Sequence, residues 1–212
     1  GALSIDNNNS SFIRNKAQGY GGSFYLSDAK RLFNMDCLFK EEYAQKHGGS
    51  LYLKSVKLVT IANSTHSRNA GNIGGVYYID GSNKMTINKS IFFSNIAKLG
   101  VSIYVRSLKE YFNLNSKFIS NTATKGGSLI YLRSVGVYEI NLCVFQNNTA
   151  ILIQALDLDL LQNKKNYFID NTNKATLILT KVNIYYDIGN AYKHNSASDS
   201  GGCVSAYSVL RA

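Results

Sequence analysis

The chain has 212 residues, a formal net charge of +10 and a pI near 9.4, with no proline and no tryptophan. That charge favours acidic partners on electrostatic grounds, and no run of 18 or more apolar residues exists to cross a membrane as a helix. Three cysteines are too few for a disulfide framework.

Taken in order, the chain divides into similar units. Gly1–Ala17 forms a partial first unit with a polar run, Asp6–Ser11, expected to bulge at a turn. Tyr20–Ala44 follows, with a polar corner at Asp28–Arg31, then Gly48–Ala70, in which His66 takes an aromatic position. Gly74–Ala97, Gly100–Ala123 and Gly126–Ala150 are close copies of one another. Leu152–Asn171 replaces the glycines by apolar residues, Asn173–Ala197 leaves room for a longer loop around Tyr185–Asn190, and Gly201–Ala212 opens another unit.

Three marks define the unit. A Phe-x-x-Asn pair recurs as Phe12/Asn15, Phe92/Asn95, Phe118/Asn121, Phe145/Asn148 and Phe168/Asn171, with variants Phe39/Glu42, His66/Asn69 and Tyr192/Asn195. A Gly pair recurs at the same step of about 26 residues, at Gly21, Gly48, Gly74, Gly126 and Gly201, with Leu99-Gly100 as a half-match. After each pair comes an alternating stretch, such as Ile103-Tyr104-Val105 and Ile130-Tyr131-Leu132, which has the period of a half-buried strand. The same reading sets Leu156 and Leu158 inward around Asp157.

A unit of this length without helical periodicity is too short for a strand–helix–strand crossover. It suits short strands and turns stacked as a parallel β-solenoid. The fold expected is therefore all-β: one right-handed parallel β-helix over residues 1–212, about eight rungs at roughly 4.8 Å per rung, giving a rod about 40 Å long. The ends carry no polar cap, so the chain reads as an excerpt of a longer solenoid. Stacking turns Phe12, Phe39, Phe92, Phe118, Phe145 and Phe168 into an internal aromatic column. It turns Asn15, Asn69, Asn95, Asn121, Asn148, Asn171 and Asn195 into an amide ladder at a corner, where asparagine tolerates left-handed backbone. Both columns read as structural.

The Gly-Gly-x-[Ile/Leu/Val] and Phe-x-x-Asn marks together resemble the repeats of the polymorphic outer-membrane protein family of chlamydiae, and large ciliate and protist surface proteins are similar. The resemblance runs from Gly1 to Gly202. It implies a pectin-lyase-like parallel β-helix and, in the chlamydial case, an exported passenger with adhesive roles. No C-terminal membrane barrel accompanies the repeats in this sequence.

The surface feature that stands out is a column of tyrosines, Tyr25, Tyr52, Tyr78, Tyr104 and Tyr131, expected to face outward in one line. Lys54, Arg106 and Arg133 form a partly basic line two residues further on, interrupted by Ser27 and Asp80. Such a strip suits sugar rings or an acidic polymer, although tyrosine is also favoured in strands for packing alone. For catalysis the one carboxylate cluster is Asp157 and Asp159, expected one rung from Tyr131 with Arg133 beside Asp159 as a surface ion pair. No galacturonase-type signature appears. His47, His66 and His194 fall in different columns, so no metal site and no cofactor is expected. No row of threonines suited to binding ice is evident. Cys37 and Cys143 share a column otherwise held by Ser10, Ser64, Ser90 and Ser116, and all three cysteines, with Cys203, read as small buried thiols. Five Asn-x-Ser/Thr sequons start at Asn8, Asn9, Asn63, Asn88 and Asn147.

The function expected is a non-enzymatic structural or adhesive β-helix, extracellular or at the cell surface, whose partners are neighbouring proteins or acidic glycans and not a specific nucleic acid. The alternative is an intracellular scaffold in a filament-associated, cytoskeletal or ciliary assembly. A polysaccharide lyase or hydrolase is the third reading.

Overall fold

The computed structural model describes residues 3–173, 175–198 and 202–211, with the Asn173 side chain excluded. Gly1, Ala2 and Gly201 of the expected repeat marks lie outside the described residues. Parallel strands stack rung upon rung as a β-solenoid. An eleven-stranded sheet forms the long wall, an eight-stranded sheet of three-residue strands forms a second, and five-stranded and two-stranded sheets complete the third. The rung Ile103–Leu114, Lys117–Ile119, Thr122–Ala123 is typical.

Steric chemistry at the corners explains why the chain turns where it does. The first glycine of each pair among the described residues has positive φ, between +60° and +66° at Gly21, Gly48 and Gly74, where a Cβ would be strained. The second is needed for closeness instead: a Cβ at Gly49 would stand 1.9 Å from the Gly75 carbonyl oxygen. The other corners use left-handed residues that carry side chains. One set is Arg14, Glu41, Arg68, Ser94, Ser120, Asn147, Asp170 and His194, each directly before the Asn column. The Asn column itself is therefore not the left-handed residue, as the sequence suggested. The corner turns first, and the asparagine then points inward.

What the asparagines do there is saturate the corner. Asn121 Oδ1 accepts from the backbone N of Asn95 at 2.9 Å and from its Nδ2 at 3.0 Å. Asn121 Nδ2 donates to the Phe92 carbonyl at 2.9 Å and to Asn148 Oδ1 at 3.0 Å. Asn69, Asn95, Asn121 and Asn148 are fully buried. Rung lengths read along this ladder from Asn15 to Asn195 are 27, 27, 26, 26, 27, 23 and 24 residues. Beside it the rings of Phe12, Phe39, His66, Phe92, Phe118, Phe145, Phe168 and Tyr192 stack with centroids 4.7 to 5.0 Å apart.

Glu42 occupies the ladder in place of an amide. It is buried, its Oε1 accepts from Asn15 Nδ2 at 3.1 Å, its Oε2 accepts from the Ser23 hydroxyl, and burial pushes its carboxyl pKa up. An acid raised in the fold stabilises fully below its unfolded pKa, and that contribution fades as pH rises through the raised value. Glu42→Gln is therefore expected to stabilise the chain by about 1 kcal/mol at pH 8, and less at pH 4. Urea unfolding at both pH values checks this; a loss of stability at pH 8 would contradict it.

Three local expectations are corrected. Asp6–Ser11 does not bulge: Ser4–Asn8 pairs in register with Arg31–Met35 and only Asn9 turns. Tyr185–Ile188 does not loop out but continues the strand Leu177–Ile188 against Leu161–Lys164. Among the cysteines, Cys37 and Cys143 are buried as read, with burial pushing the Cys143 thiol up to about 12, whereas Cys203 is exposed.

Candidate functional site

The tyrosine row exists as a geometric object. Tyr25, Tyr52, Tyr78, Tyr104 and Tyr131 pair in register through the long wall. Their rings stack with centroids 5.1, 4.9, 4.9 and 4.9 Å apart and interplanar angles of 4° to 9°. Stacking spends the faces on one another, so the row shows ring edges to solvent rather than a flat platform. It is also less open than an outward strip: Tyr25 is 55% exposed but Tyr78 only 8%. A shoulder formed by the residues before the Gly pairs explains this. His47 packs on Tyr78 at 5.0 Å and Tyr20 on Tyr52 at 4.8 Å. Burial accordingly pushes the Tyr78 phenol up to about 12 and lowers the His47 pKa.

The row ends at Tyr131. Its partner on the next rung is Gln154, so one face of that ring has no aromatic neighbour in register.

The neighbouring basic line is not uniform. Lys54, Asp80, Arg106 and Arg133 do share a column. However, Arg106 grips Asp80 with two nitrogens, Nε at 3.0 Å from Oδ1 and an Nη on Oδ2. That leaves Lys54 and Arg133 as the cations of this column without an ion pair among the described residues.

The carboxylate pair does not form the expected cluster. The rung from Asn148 to Asn171 is 23 residues long, so Arg133 pairs with Leu156 and not with Asp159. Leu156 accordingly does not take the inward place assigned to it; Ile153 and Ala155 do. Asp157 takes a left-handed corner and accepts from the Ser134 hydroxyl at 3.1 Å. Asp159 accepts from Asn183 Nδ2 at 3.2 Å. Among the described residues no group of three or more His, Cys, Asp or Glu could hold a metal ion.

Two features went unread in the sequence. One is a short threonine row, Thr122, Thr149 and Thr172, continued by Ser196. The other is a second bend inside the long wall, read in the sequence only as the polar corner at Asp28–Arg31 and repeated at the left-handed residues Ser55, Gly81, Ser107, Ser134, Asp157 and Lys181. Its signal was a small or polar residue recurring three positions after each tyrosine of the row. Two hollows adjoin along this bend and share Ser134. One, about 600 Å³, is bounded by Gly81, Ser107, Lys109 and Asp159, and the other, about 510 Å³, by Tyr131, Arg133, Asp157 and Lys181.

Comparison with family models, curated proteins and solved structures returned no match.

Proposed function

We propose that the chain is a stiff, non-enzymatic rod that holds neighbouring molecules along its side, in a structural or adhesive role at a cell surface or outside the cell. The observation that carries this reading is the unbroken parallel register of the long wall, from Ser4 to Tyr207, with the tyrosine row and unpaired cations fixed at rung spacing along it. A solenoid is stiff because each rung bonds to both neighbours, so side chains a few rungs apart keep fixed distances. Partners are expected among proteins and acidic glycans, since a net charge of +10 favours acidic surfaces. The repeat marks resemble those of exported adhesive passengers, which agrees with this placement. Asn63 and Asn147, each opening a sequon, sit exposed at corners. Asp157 and Asp159 each accept a hydrogen bond from a polar side chain, Ser134 and Asn183 respectively.

Beads coated with the full chain test the reading on intact cells. Capture is expected, reduced when the cells are first treated with enzymes that strip acidic glycans or surface protein. Acidic polysaccharides incubated with the chain are expected to keep their length. Shortened polysaccharide, or beads that capture no cells, would overturn it.

A further inference from the structure

The bend inside the long wall has the form of a groove running along the solenoid axis. Its floor is made of small residues, Gly81, Ser107 and Ser134, on three successive rungs, and Ser55 continues the same column one rung further. One rim carries Lys54 and Arg133. The other carries Lys57 and Lys109, which lie in register on either side of Asn83 and so stand two rungs apart. All four are exposed and make no ion pair among the described residues. At one end the groove meets the hollow lined by Tyr131 and Arg133, and Lys181 lies further along the bend in the same hollow.

The geometry points to a binding site in this groove for one linear acidic polysaccharide lying parallel to the solenoid axis. This rests on the reading of the chain as a rod that binds along its side.

Spacing favours a glycan over an acidic peptide. Cations repeat in multiples of the rung rise, about 4.8 Å. A pyranose unit advances along its chain by nearly one rung, whereas an extended peptide advances about 3.3–3.6 Å per residue and falls out of step within a few units. Lysine and arginine at both rims attract the carboxylate or sulfate groups. Tyr131, which lines the end hollow and has no aromatic neighbour on the next rung, suits the apolar face of a terminal sugar ring. Asp157 and Asp159 lie in the same hollows. They repel carboxylates and accept hydrogen bonds from sugar hydroxyls, which sets the register of acidic and neutral positions along the polymer.

The test uses the full chain at low ionic strength, titrated with an oligogalacturonate, a neutral cello-oligosaccharide of equal length and poly-glutamate. Lys57→Glu with Lys109→Glu reverses one rim. Lys89→Glu with Lys117→Glu makes the same charge change at exposed residues away from the groove. The acidic oligosaccharide is expected to bind more tightly than either other probe. The rim variant is expected to lose about tenfold or more in affinity and the control about twofold or less. Tyr131→Gln is expected to weaken binding several-fold without altering its salt dependence. Equal losses in both charge variants, tighter binding of poly-glutamate, or no binding of the acidic oligosaccharide would each overturn the site. Cell capture that survives in the rim variant would remove the groove and leave the rod, whereas loss of capture by the wild-type chain would remove both.

Discussion

Asn121→Ala is expected to destabilise the solenoid by about 4 kcal/mol, a large part of the stability of a domain this size. The change removes an acceptor used by two donors of Asn95 and a donor used by the Phe92 carbonyl and by Asn148 Oδ1. All of these lie in the interior, and Asn121 is 0% exposed. Each buried group left unpaired costs about 1–3 kcal/mol, and water has no path to replace the amide. Asn147→Ala serves as the neighbouring control. Asn147 sits exposed at the left-handed corner, so alanine there meets only the backbone cost of about 1–2 kcal/mol. Urea midpoints of the two variants decide the matter. If Asn147→Ala proves the more damaging, the corner conformation, and not the amide ladder, carries the turn.

That contrast also shows where sequence reading succeeds and fails. Phe92, Phe118 and Phe145 could be placed over one another because a column needs only a constant step, and a step is visible in the chain. Which residue takes positive φ is decided within one corner, where Asn147 and Asn148 are chemically alike and differ only in which side chain turns inward. Register was lost at the rung from Asn148 to Asn171, whose 23 residues break the step, so Asp159 was assigned to a neighbour it does not have. Exposure of the tyrosines was not legible either. What covers Tyr78 is His47, from the corner one rung earlier, and no local pattern announces that contact. The second half of each long strand also escaped notice. Tyr111 and Tyr138, stacked at 4.7 Å inside, follow a left-handed bend that resets the inward and outward alternation. The groove was hidden for the same reason, since its two rims belong to opposite sides of that bend.

Acidification acts on the solenoid through His66, in the middle of the aromatic column. Its ring lies between Phe39 at 5.0 Å and Phe92 at 4.8 Å, is 0% exposed, and bonds through Nε2 to the buried Tyr77 hydroxyl at 2.7 Å. Burial lowers its pKa to about 3, since a charge there would have no solvent. Between an unfolded value near 6.5 and that lowered value, the unfolded chain takes up a proton that the folded chain refuses. Stability therefore falls as pH drops through this window, by about 1.4 kcal/mol per unit and about 3 kcal/mol by pH 4. His66→Phe combined with Tyr77→Phe replaces both partners by apolar groups of matching shape, leaves no orphaned hydroxyl, and continues the phenylalanine column. The double variant is expected to match the wild type within about 1 kcal/mol at pH 7 and to be about 3 kcal/mol more stable at pH 4. Glu42→Gln in both backgrounds removes the one buried carboxyl among the described residues whose raised pKa works in the opposite direction. Parallel stability curves for the two chains between pH 7 and pH 4 would mean that the interior admits the charged imidazole, and that the aromatic column is less tightly closed around His66 than its geometry implies.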